Sequence, residues 1–119
     1  MVTQPYLQII KTSLLVPVLK EKEINIKSAL GMAITAIPGK SEGWLMVGIE
    51  PDSILYFRGE DAPAAMVEVS IFGSASSNAL TTLTSHITGI LTDQLEIPSD
   101  RIYVKYTSTA DWGWNGSNF

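Results

Sequence analysis

No cysteine occurs in the 119 residues of the chain. That excludes disulfides, thiolate–zinc sites, a C-x-x-C redox pair and a cysteine nucleophile. One histidine, His86, is too few for a multi-histidine metal site within one chain. Basic residues are scarce as well: 8 Lys+Arg stand against 12 Asp+Glu, a formal net charge of −4. A face able to hold many phosphates does not fit that balance, so no nucleic-acid partner is expected. No run approaches the roughly 18–20 uncharged apolar residues of a membrane span. The opening MVTQPYLQIIKTSLLVPVLK lacks a basic start and is interrupted by Lys11 and Thr12, unlike a secretory signal. The reading is a soluble cytoplasmic protein without a membrane partner. The glycine-rich, Walker, zincin and nucleophile-elbow motifs are all missing, so neither a metal nor an organic cofactor is expected.

Charge of either sign is also low. Charged residues make up 17% of the chain, where about 25% is usual. Hydrophobic residues reach 45% and the mean hydropathy is +0.19, which excludes a disordered chain. A domain so poor in charge hides surface beyond its own core, most simply in an oligomer. At roughly 100–200 residues per domain, the chain is one domain.

What is present is ordered by hydrophobic period. Residues 5–12 alternate as a strand opened by Pro5. Residues 20–37 place Ile26, Leu30, Ala33, Ile34 and Ile37 on one helical face, and Pro38-Gly39 ends it. WLMVGI at 44–49 reads as a buried strand before a Pro51-Asp52-Ser53 turn. Residues 54–57 read as a short strand and 58–61 as a turn. Residues 64–72 form a longer strand. Residues 77–95 form a helix with Ser76 or Ser77 as N-cap and an apolar stripe from Leu80 to Leu95. Its threonines and Gly89 make it intrinsically weak, so packing must hold it. Residues 101–107 alternate as a last strand.

Strand, helix, Ile-Pro and strand occur twice, with Ile37-Pro38 and Ile97-Pro98 as markers. Two βαβ repeats, each a right-handed parallel crossover, make an α+β fold: a four-stranded sheet with two helices on one face. The other face is largely apolar or neutral and needs a cover, which other subunits would supply. Gly73–Ser77 reads as a strand-to-helix turn with an N-cap in preference to a phosphate site. His86, Asp52, Glu60 and Asp61 read as solvated. Trp112, Trp114 and Phe119 crowd the last eight residues, suiting either a docked tail or the wall of an apolar pocket.

At that tail a family becomes visible. Gly113-Trp114-Asn115-Gly116-Ser117-Asn118-Phe119 resembles the C-terminal signature of the macrophage migration inhibitory factor family. Ile97–Val104, Pro5–Ile10, Gly39-Lys40, Phe57-Arg58-Gly59 and Ala62-Pro63-Ala64 follow the family's order. The resemblance covers the chain from Pro5 onward. It implies a tautomerase-like homotrimer whose sheets form a central barrel, with pockets between subunits. The implied substrate is a small aromatic α-keto acid of the phenylpyruvate type, with D-dopachrome a second substrate of some members.

By this resemblance Pro5 is the general base and Lys40 holds the substrate carboxylate. Tyr6, Phe72, Trp112, Trp114 and Phe119 line the pocket, with Tyr103 coming from a neighbouring subunit. Lys105 stands where some members carry asparagine, and adds positive charge. Trp112 stands where some carry a small apolar residue, which narrows the pocket. The base requires a free amine. Gln4 precedes Pro5 in this sequence, so the implied activity depends on cleavage after Gln4, releasing the extension 1–4. A chain that keeps Met1–Gln4 is expected instead to bind a ligand or a protein receptor, and family likeness allows non-classical secretion for that role.

Overall fold

The computed structural model describes residues 5–13 and 20–118; for 5–13 and Asp52 it describes the backbone alone. The extension before Pro5 and Phe119 lie outside the described residues. Strand β1 spans Pro5–Ser13, helix α1 Lys20–Ala33, β2 Met46–Ser53 and β3 Ala65–Phe72. Helix α2 spans Ser77–Leu95, β4 Ile102–Thr109, and a small hairpin is built from β5, Gly113–Trp114, and β6, Ser117–Asn118.

The four long strands lie in the order β2-β1-β3-β4. β1 runs parallel to β2, β3 parallel to β4, and β1 antiparallel to β3. The two βαβ units therefore meet at their first strands. Alternate residues of β3, Ala65, Val67, Val69 and Ile71, are buried. They pack in one cluster with Ile26, Leu30 and Ala33 of α1 and Leu83, Ile87, Leu91 and Leu95 of α2. Alternation puts those four β3 residues on one side of the sheet, so both helices cover that side. Met66, Glu68, Ser70 and Phe72 point the other way and stay half-buried. Glu68 lies in register with Lys105, and Glu50 with Lys11.

Several boundaries differ from the periodic reading. Helix α1 tightens to a 3-10 segment at Ile34–Ala36, and Ile37 is extended at φ −92° and ψ 117°. Pro38 follows, and the residue before proline is driven out of the α region. Strand β2 runs through Pro51 instead of turning there. It is an edge strand, where a missing N–H is tolerated. The register shifts between Lys11↔Glu50 and Ser13↔Ser53, absorbing one extra residue as a bulge. Residues 54–57 do not form the expected strand. Among the described residues only Phe57 makes a bridge there, to Glu60.

Helix α2 begins where its capping chemistry places it. Ser76 is extended, and its Oγ accepts from the Ala79 N–H at 3.1 Å. The loop before α2 thus uses its serine as a cap. Ser76→Ala is expected to lower stability by about 1 kcal/mol, read by urea unfolding. No loss would mean another group satisfies the first turn.

Candidate functional site

Lys40 is placed by the end of the first helix. Pro38 cannot continue the helix, and Gly39 takes φ 83°, a conformation that suits a residue without a Cβ. The Lys40 N–H then donates to the Ile37 carbonyl at 3.1 Å. The side chain is 6% exposed, a buried cation. Its Nζ donates to the Phe72 carbonyl at 2.8 Å and lies 6.0 Å from the centre of the Phe72 ring. Burial pushes the Lys40 pKa below its ordinary value of 10.5, because a charge is costly where water is excluded.

Phe72 ends β3, and the chain returns past it after β4. The Trp112 ring meets the Phe72 ring edge-on, with centroids 6.5 Å apart. Two residues on, Trp114 packs edge-to-face on Trp44 at 5.3 Å, with planes at 83°. Trp44 lies just after Lys40 in a short 3-10 segment, Glu42–Trp44. Both tryptophans of that pair are exposed. Pro5 pairs with Ile71, so the start of β1 sits beside the end of β3. One end of the sheet thus gathers the Pro5 backbone, Lys40, Phe72, Trp112, Trp114 and Trp44. A buried ammonium beside aromatic walls suits a carboxylate that carries an aryl ring.

Two expected residues are not gathered there within one chain. Tyr103 pairs with Met66, whereas Phe72 pairs with Thr109. That separation amounts to about 20 Å along the strand, at roughly 3.3 Å per residue. Lys105 pairs with Glu68, about 13 Å from the same end. Both side chains are exposed. Tyr6 lies in register with Met46 and Ser70 at the Pro5 end. His86 is exposed on α2, on the helical layer.

Trp44 escaped the sequence reading. It flanks an apolar run and reads as the first residue of a strand. Its spacing of four from Lys40 across a glycine-containing turn was the available signal. Arg101 escaped too, because nothing local shows what an arginine at a strand start will reach.

Known proteins can now be set beside this geometry. The family model described as macrophage migration inhibitory factor matches residues 7–119. The macrophage migration inhibitory factor of Meriones unguiculatus is 32% identical over 97 residues, 80% of this chain and 84% of that protein. That of Mus musculus is 30% identical over 94 residues, 77% of this chain and 82% of that protein. Among solved structures, Leishmania major MIF2 superposes with a TM-score of 0.89 at 35% identity, covering 98% of this chain and 97% of that one. The homologue from Prochlorococcus marinus gives a TM-score of 0.79 at 27% identity, covering 96% of this chain and 98% of that one.

Proposed function

Because the chain belongs to the macrophage migration inhibitory factor family, we propose that it is a keto–enol tautomerase of aromatic α-keto acids of the phenylpyruvate type. It works as a homotrimer, with Pro5 as base once the Gln4–Pro5 bond is cut. The observation that supports this most is the buried Lys40 beside the Phe72 ring, which Trp112 meets edge-on, at the sheet end where β1 begins.

The Lys40 ammonium takes the substrate carboxylate, and the aryl ring lies against Phe72, Trp112 and Trp114. The neutral secondary amine of a freed Pro5 removes a proton from the carbon next to the ketone. The C–H electron pair becomes the C=C bond, the carbonyl electrons move to oxygen, and the proton is delivered to that oxygen. The reverse steps return the keto form. Atoms and charge balance without a cofactor.

The trimer answers two needs together. The uncovered sheet face gains a partner, and Tyr103, about 20 Å from Phe72 along its own sheet, reaches a neighbour's pocket. Light scattering is expected to give three times the 12.9 kDa chain mass; a monomer in solution would remove the basis for a shared pocket. The test of the activity is phenylpyruvate turnover by the chain beginning at Pro5. An inactive Pro5-starting trimer would sink the enzymatic reading.

One observation favours a second reading. Gln4 precedes Pro5 in this sequence, and an acylated proline nitrogen is not basic. A protein that keeps residues 1–4 would present the same fold as a binding protein for a ligand or receptor. Mass measurement of the protein from its native source separates the two.

A further inference from the structure

The segment from Phe57 to Pro63 has no part in the chemistry above, yet it is tied down with unusual thoroughness. Phe57 and Glu60 exchange backbone hydrogen bonds at 2.9 and 3.1 Å. The two residues between them, Arg58 and Gly59, have φ 56° and 76°. Positive φ at both centres is the tight hairpin turn that normally takes asparagine, aspartate or glycine first. An arginine there is strained. Its side chain has its own contacts: Cζ sits 4.9 Å from the Phe57 ring centre, and Nη1 donates to Asp100 Oδ2 at 3.3 Å.

Arg101 closes the arrangement. Its Nε donates to the Pro63 carbonyl at 2.9 Å and Nη1 to the Phe57 carbonyl at 3.1 Å. Nη2 donates to the carbonyls of Glu60 at 3.1 Å and Ala62 at 3.0 Å. Four carbonyls on one planar fork fix the loop as lysine, a single-point donor, could not. The Arg101 Cζ lies 5.3 Å from the same Phe57 ring. That ring in turn meets Tyr103 edge-to-face, with centroids 5.2 Å apart and planes at 88°. Tyr103 itself is 61% exposed, on the sheet face away from the helices.

We propose that Arg101 and Phe57 are positioning residues: Arg101 holds the loop, the loop holds Phe57, and Phe57 holds the exposed Tyr103 ring ready for the neighbour's pocket. This rests on the place given to Tyr103 in the proposed function. A tyrosine ordered before the ligand arrives spares the ordering cost on binding.

The experiment is a double-mutant cycle on phenylpyruvate affinity, measured by calorimetry on the chain beginning at Pro5. Phe57→Leu is expected to weaken binding about 2- to 10-fold, the share of one edge-to-face ring pair. Phe57→Tyr, which keeps the ring, is expected to bind as the parent does. Arg101→Lys is expected to weaken binding like Phe57→Leu. Neither Phe57→Leu nor Arg101→Lys is expected to add to the loss caused by Tyr103→Ala. Additive losses, or an unaffected Phe57→Leu in a protein where Tyr103→Ala does weaken binding, would overturn the positioning role alone. An unaffected Tyr103→Ala would remove Tyr103 from the pocket, overturning its place in the proposed function and the positioning role with it. Should Arg101→Lys fail to fold, the Phe57 pair of variants still decides the matter.

Discussion

Cutting the Gln4–Pro5 bond is expected to raise phenylpyruvate tautomerisation by about 10²- to 10⁴-fold, the contribution of a positioned general base. The reason is electronic. While Gln4 remains, the Pro5 nitrogen shares its lone pair with a carbonyl and cannot take a proton. Once released it is a secondary amine at a chain start, where α-amino groups titrate at about 7.7–8.0. Activity is therefore expected to rise with pH as the amine loses its proton. The measurement compares the chain beginning at Pro5 with the chain that keeps residues 1–4, following loss of the keto form. Equal rates would show that Pro5 is not the base.

Replacing Lys40 by methionine is expected to weaken phenylpyruvate binding by about 10- to 100-fold, since a hydrogen bond to a charged group in a dry site contributes roughly 1.5–3 kcal/mol. The effect on stability runs by a different rule. Burial lowers the folded-state pKa of Lys40 below 10.5. Folding thus favours the neutral amine. That contribution is fully present above the unfolded value and is lost as pH falls through the depressed folded value. The parent is expected to lose stability relative to Lys40→Met as pH falls across that window, read by urea unfolding at several pH values. Ligand affinity of the parent runs the opposite way, falling as pH rises and Lys40 discharges. A Lys40→Met protein that binds as tightly as the parent would leave the carboxylate without its assigned partner.

The two predictions rest on residues of unequal legibility. Lys40 follows Ile-Pro-Gly, a helix stop readable from proline's missing N–H and glycine's positive φ. Ser76 or Ser77 before an apolar-periodic run announces a cap, and the structure uses Ser76. The doubled strand–helix–strand order, with its Ile-Pro markers, gave the parallel pairs β1·β2 and β3·β4. By contrast, residues 54–57 carried a strand composition, yet among the described residues only Phe57 is bridged, to Glu60. Whether a run pairs depends on which segment lies alongside it, which composition does not encode.

Local chemistry along the chain was enough to settle the helices, most strand positions and the βαβ repeat, whereas Lys40 was singled out by family resemblance alone. The helices, strands and repeat follow from periodicity, propensity and steric rules that act over a few residues. Only the tertiary structure decided that β1 and β3 join the two units antiparallel, that Trp44 meets Trp114, and that Arg101 reaches the carbonyls of a loop 38 to 44 residues earlier in the chain. It also decided that Tyr103 stands at the opposite end of the sheet from Phe72. Each of these depends on which distant segments share a layer. That is set by burying one common core, a property of the whole chain that no local pattern encodes.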